Sequence, residues 1–154
     1  MNIVDADMWG TDWLWSLPLI LLNIVIHVFG LVFINDAVVF ILKDIAERRR
    51  FMVKFTEVIG AAVLLMILLH TIEAFTWAAA YWMLGALPNY KTAMLYSLSA
   101  MTGYGHANVF LPPHWQMMGV LQSLTGVLLF GLTTAFLFAM IQSVWPSSSG
   151  NPRD

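Results

Sequence analysis

Three long apolar segments constrain the fold of this chain more than any other feature. They cover about residues 18–42, 58–87 and 115–145. Each is longer than the roughly 20 helical residues that cross a hydrocarbon core. Inside a bilayer the backbone must satisfy its own hydrogen bonds, which favours helices. The sequence therefore predicts an all-α membrane protein with three transmembrane helices, and Pro18 suits the first turn of the first helix.

The composition agrees with a membrane protein and excludes several functions. Of the 154 residues, 60% are apolar and 10% are charged, whereas soluble domains have about 25% charged residues. A net charge of −2 gives no reason to expect a nucleic-acid partner. The chain has no Cys, so disulfide bonds and thiol chemistry are excluded. Without a nucleophile–base pattern or a phosphate loop, we expect a non-enzymatic protein with no cofactor.

The basic residues predict how the chain is oriented. Lys43, Arg48, Arg49, Arg50 and Lys54 crowd the loop after the first segment, and basic loops stay in the cytoplasm. We therefore expect a multi-pass protein of the cell (inner) membrane with its N-terminus outside. Residues 1–56 would hold the outer N-terminus, an extra helix and the basic loop. Residues 57–145 would hold the other two apolar segments, and residues 146–154 a short cytoplasmic tail.

The polar stretch between the second and third segments contains the tripeptide Gly103-Tyr104-Gly105. Glycines allow backbone conformations that other residues resist. Such a backbone can turn successive carbonyls towards a pore axis, where they replace the water around a cation. Residues 91–100 are predicted to form a helix of two to three turns before this loop. The negative end of its dipole would then face the cation.

Residues 100–106 resemble the selectivity filter of potassium channels, Thr-Thr-Val/Leu-Gly-Tyr-Gly-Asp. The third segment resembles the inner helix of two-transmembrane potassium channels. Gly126 would take the place of the glycine that serves there as a gating hinge, and Gly131 that of a second glycine of the family. The alternative for both is close helix packing by small residues. The whole chain is similar to small bacterial ion channel proteins that place an extra N-terminal helix before one helix–pore loop–helix unit. The stretches that fit this group are residues 70–73, 84–88 and 111–115.

This resemblance implies a homotetramer with K+, or Na+, bound in a filter and no other metal. Residues 57–145 would then form the pore domain: outer helix, pore helix, filter and inner helix. The filter residues would be Met101, Thr102, Gly103, Tyr104 and Gly105. Both flanks of the tripeptide depart from the family pattern. Met101 replaces a Thr, and a thioether is a poor ligand for a hard alkali cation. His106 replaces Asp at the outer mouth, where partly protonated imidazoles would repel cations.

The predicted function is therefore the pore-forming subunit of a tetrameric cation channel that conducts K+ with weakened selectivity. Two alternatives stay open. One is a non-selective monovalent cation channel. The other is a non-conducting membrane subunit with a channel-like fold, which would work by binding partners.

His70 and Glu73 lie three residues apart in the second segment and so share one helix face. Ionisable residues inside a membrane are costly, which marks a functional site. Three interpretations remain open. The pair could support the filter through hydrogen bonds to each other and to the pore helix. It could sense protons, because His titrates near neutral pH. With His27 of the first segment it could bind a metal, although His-x-x-Glu alone is a weak metal signal.

Overall fold

The structure is a computed structural model that describes residues 4–42, 48–105 and 108–144, with side chains for 10–42, 52–105 and 108–143. The described residues form four α-helices and one 3-10 turn: α1 (Val4–Leu42), α2 (Arg48–Met83), α3 (Tyr90–Thr102), the 3-10 turn (Pro113–Trp115) and α4 (Gln116–Val144). No strand occurs among them.

Three stretches of these helices are long and apolar enough to cross a membrane: Gly10–Leu42, Met52–Met83 and Pro113–Ser143. The prediction of an all-α protein with three candidate transmembrane helices is therefore confirmed. The shorter helix α3 also forms where a short helix was predicted.

The limits of two helices differ from the prediction. Helix α1 begins at Val4, so Pro18 lies inside the helix and not in its first turn. Proline inside a membrane helix is tolerated because neighbouring helices and side chains satisfy the backbone group that it frees. Helix α2 begins at Arg48 and ends at Met83, before the predicted Leu87. It stops there because a turn follows in which Gly85 has a left-handed φ of 67°.

Helix α1 lies between α2 and α4 and packs against both, and α3 packs against the same two helices from another side. Direct contact between α2 and α4 is slight. Helices α1 and α4 run parallel, since Asp12 lies beside the backbone N–H groups of Met117 and Met118, while His27 lies beside Thr133. The Asp12 carboxylate thereby faces the positive end of the α4 dipole.

Two apolar clusters hold the helices together at opposite ends. One joins α2, α3 and α4 around Trp77, Tyr81 and Met118. The other joins α1, α2 and α4 around Leu31, Met66 and Met140. Between the two clusters lie buried polar side chains of three helices, and these form part of the candidate site.

Candidate functional site

Helix α3 runs back alongside the candidate spans. It begins near the end of α2, where the Asn89 side chain accepts a hydrogen bond from the backbone N–H of Thr92 at 2.9 Å. Further along, the Ser97 hydroxyl donates to the Ala74 carbonyl at 2.8 Å. At its end, the Met101 backbone lies against Gly126 of α4. Ala74 and Gly126 both lie well inside the apolar stretches of their helices. Helix α3 therefore begins near the end of α2 and ends beside the interior of α4.

The tripeptide follows directly at this end of α3. Gly103 has a φ of 68° and Gly105 a φ of 70°, both in the left-handed region that favours glycine. The N–H of Gly103 donates to the Ala100 carbonyl and closes the helix. All three residues are exposed in the single chain, and Tyr104 is 81% exposed. An open groove of about 490 Å³ passes beside them.

The five residues expected to line a filter are divided between a helix and a loop. Met101 and Thr102 lie in α3. The Met101 side chain is buried against Ala74 and Leu129, and the Thr102 hydroxyl donates to the Leu98 carbonyl at 2.7 Å. Of these five residues, only those at 103–105 have non-helical backbone. The predicted outer-mouth residue His106 lies outside the described residues.

A buried hydrogen-bond chain fixes α3 between α2 and α4. The Tyr81 hydroxyl donates to Gln122 Oε1 at 2.9 Å. Gln122 Nε2 donates to the Ser97 carbonyl at 3.1 Å and to its hydroxyl at 2.6 Å. These residues were not predicted from the sequence, although a polar Gln122 inside an apolar segment is a usable signal. These side chains give α3 the hydrogen-bonded support that one of the three interpretations assigned to His70 and Glu73.

His70 and Glu73 have different partners. Glu73 Oε1 lies 2.7 Å from His27 Nδ1, and Glu73 Oε2 lies 3.0 Å from His70 Nδ1. On the other side, Thr133 Oγ1 lies 3.2 Å from His27 Nε2 and 3.1 Å from His70 Nε2. Four side chains from α1, α2 and α4 therefore close a ring of hydrogen bonds, here called the His–Glu–Thr ring. None of the bonds that the described residues make with His70 or Glu73 reaches α3.

The His–Glu–Thr ring is buried almost completely. His27 and Glu73 are fully buried, and His70 is 8% exposed. The ring of Phe130 covers His70, with the two ring centroids 4.2 Å apart. Next to this site, Asn23 Nδ2 donates to Thr76 Oγ1 at 2.9 Å, and that hydroxyl donates to the Glu73 carbonyl at 2.7 Å. The polar groups of α1 and α2 are thus paired along more than one helical turn.

The third interpretation of these residues was a metal site formed by His27, His70 and Glu73. One ligand atom each from His27, His70 and Glu73 lie within 4.8 Å of one another. However, each imidazole nitrogen already has a partner within hydrogen-bond distance. The carboxylate lies between the two imidazoles, so their Nδ1 atoms face two different oxygens and not one common point. This arrangement fits hydrogen bonding better than coordination of an ion.

Thr133 is a partner that the sequence analysis missed, and its role can be tested. We expect Thr133→Val to lower the free energy of unfolding by about 1–2 kcal/mol, since it removes the hydroxyl that pairs with two buried nitrogens. Thr134→Val is the matched control, because the exposed Thr134 hydroxyl bonds only within its own helix, to Phe130. Reversible unfolding in mixed micelles measures both. Equal effects would show that Thr133 contributes nothing specific.

The two glycines of the third segment have different surroundings. A Cβ at Gly126 would collide with the Met101 carbonyl and lie 2.9 Å from its Cα. Gly131 is exposed and has open space around the position of a Cβ. Close packing therefore accounts for Gly126. The hinge role of both glycines stays a prediction.

Comparison of the chain with protein-family models, curated proteins and solved structures found no match. The resemblance to potassium channels therefore rests on the motifs of the chain itself. What the fold defines directly is an all-helical, multi-pass membrane protein with a short helix and a glycine loop between its second and third spans.

Proposed function

We propose that the chain is the pore-forming subunit of a tetrameric cation channel that conducts K+ with weakened selectivity. The observation that carries this proposal is the position of α3. The helix runs back beside the spans and ends, next to Gly126, in the glycine-containing residues 103–105. A short helix and non-helical backbone at membrane depth are tolerated where they line a water-filled cavity.

The electrostatics of this helix end favour a cation. The last carbonyls of a helix lack helical partners and carry the negative end of its dipole. Lys91 is at the opposite end of α3, and no acidic or basic side chain occurs from residue 92 to residue 105. Backbone dipoles are therefore the local source of negative potential, as in a filter made of carbonyl groups.

One chain supplies a single loop, and a filter of the kind proposed needs four. The proposal therefore includes a homotetramer in the cell (inner) membrane, with the N-terminus outside. Exposed apolar residues of α4 provide a surface for lipid or for a second copy of the chain: Val120, Leu124, Val127, Leu128 and Leu132.

Weakened selectivity is proposed because only part of the expected filter is non-helical. Met101 and Thr102 remain in α3, so fewer carbonyls can turn towards an ion. Fewer coordination sites discriminate less well between K+ and Na+. A non-selective monovalent cation channel is the extreme form of this proposal.

Flux through liposomes containing the purified protein tests the function. We expect K+ flux that exceeds Na+ flux by less than in typical potassium channels, and we expect Gly105→Ala to abolish it. The substitution places a Cβ on a backbone with a φ of 70°, a conformation that L-residues resist. Gly85→Ala is the matched control. Gly85 has a φ of 67° and equally open surroundings but lies in the turn after α2.

The control separates loss of the pore from loss of the fold. Both substitutions strain the backbone by a similar amount, so their oligomeric state and helicity are expected to match. Flux that survives in Gly85→Ala and disappears in Gly105→Ala supports the proposal. Absence of flux from a folded wild-type protein overturns it and favours the non-conducting subunit.

A further inference from the structure

The His–Glu–Thr ring has a definite requirement for hydrogens. Its four side chains are joined by four hydrogen bonds, and each bond needs one hydrogen. A Thr hydroxyl brings one hydrogen, a neutral imidazole brings one and an ionised carboxylate brings none. With Glu73 ionised and both histidines neutral, the ring therefore has three hydrogens. One buried Nε2 atom then has no donor.

One additional proton completes the ring. It can make one histidine an imidazolium beside the ionised carboxylate. It can instead protonate Glu73, with His27 in its other tautomer. Both arrangements contain four hydrogens and have no net charge. Without the added proton the ring is a buried anion, and with a second one it is a buried cation, both of which are costly in an apolar environment.

We propose that His27, Glu73, His70 and Thr133 form a proton-binding site that holds this one additional proton at neutral pH. The bound proton completes the hydrogen bonds through which α1 is fastened to α2 and α4. This inference does not depend on ion conduction, because it concerns the extra helix α1 and its contacts. The sequence pattern left open whether these residues support the filter, sense protons or bind a metal, and the ring geometry favours the proton.

Other charged groups near the ring do not change this count. The ion pairs that Glu73 makes with described residues are those with His27 and His70. Helix α4 presents Phe130 to the ring beside Thr133. The titratable groups of α3 lie elsewhere, since Lys91 is exposed at its start and Tyr96 packs against Tyr81.

Glu73→Gln is the decisive variant, because glutamine has the shape of glutamate and a different hydrogen count. Its amide can donate one hydrogen to His27 Nδ1 and accept one from His70 Nδ1. His27 Nε2–H then donates to Thr133, whose hydroxyl donates to His70 Nε2. The variant thus closes the same ring with four hydrogens and no added proton. We expect it to fold and to assemble like the wild type.

The first experiment counts the hydrogens by 15N NMR of labelled histidine in micelles at about pH 8, where ordinary histidines are neutral. The chain has four histidines, and H106N/H114N leaves only the two in the ring. We expect three ring N–H hydrogens, or two together with the infrared band of a protonated Glu73. In Glu73→Gln we expect two neutral imidazoles. Two neutral imidazoles beside an ionised Glu73 in the wild type would overturn the proposal.

The second experiment measures stability against pH for the wild type and Glu73→Gln. If the folded wild type holds one more proton than the variant, the ratio of their folding equilibrium constants falls about tenfold per pH unit between about pH 6 and pH 9. The ratio falls as pH rises because the unfolded Glu is already deprotonated in this range. Folding of the wild type must then take up a proton, which becomes less available at higher pH. A constant ratio contradicts the proposal. So does stoichiometric metal in chelator-free protein, since metal binding releases protons.

Discussion

Replacing Gly126 by Ala is expected to separate the end of α3 from α4 and to destabilise the fold by about 1–3 kcal/mol. The added Cβ would meet backbone atoms of Met101: it would collide with the carbonyl oxygen and lie 2.9 Å from Cα and 3.0 Å from the carbonyl carbon. Backbone cannot rotate away as a side chain can. The residues 103–105 that follow Met101 would therefore move with it. Reversible unfolding in mixed micelles measures the loss, and ion flux is expected to disappear.

Gly131→Ala is the matched control, because it makes the same change five positions along the same helix, with nothing within 4 Å of the new Cβ. Ala favours a helix over Gly by about 1 kcal/mol, so this variant should be as stable as the wild type or more so. If both glycines were needed as hinges, both variants would lose conduction at unchanged stability. That result would contradict the packing role assigned to Gly126.

Much of the fold could be predicted because hydrophobic length is a strong signal. Three apolar segments required three long helices, and the residues before Gly103 formed the expected short helix. The helix ends were less predictable. Pro18 suggested a helix start, yet α1 passes through it. In an apolar environment the alternative to a helix is unpaired backbone, so a single proline does not end the helix.

The partners of the buried polar residues could not be predicted, because periodicity gives the face of a helix and not its neighbour. The spacing of His70 and Glu73 correctly placed them on one face, and His27 was named as a possible third member. Nothing in the sequence linked His70 to Thr133, which lies 63 positions further along the chain. For the same reason the bonds from Gln122 to Ser97 were missed. These contacts depend on how α1 and α3 pack against α2 and α4.

Glu73→Ala is expected to lower the free energy of unfolding by about 3–5 kcal/mol, more than Gly126→Ala. Both histidines of the ring use Nδ1 to bond the Glu73 carboxylate, at 2.7 and 3.0 Å. Alanine removes both acceptors and leaves a cavity between three helices. The histidines are buried, so water does not readily replace the carboxylate. Reversible unfolding in mixed micelles measures the loss, and release of α1 is expected to accompany it.

Glu57→Ala provides the control on the same helix. Glu57 pairs with Lys54 at 2.7 Å, but the two side chains are 57% and 55% exposed, and exposed pairs contribute little to stability. This variant should unfold like the wild type. At neutral pH Glu73→Gln should lose less stability than Glu73→Ala, because the amide can bond both histidines. A Glu73→Ala protein as stable as Glu57→Ala would mean that the ring does not hold α1 in place. Loss in Glu73→Gln equal to that in Glu73→Ala would show that the carboxylate charge matters and that ring closure alone does not suffice.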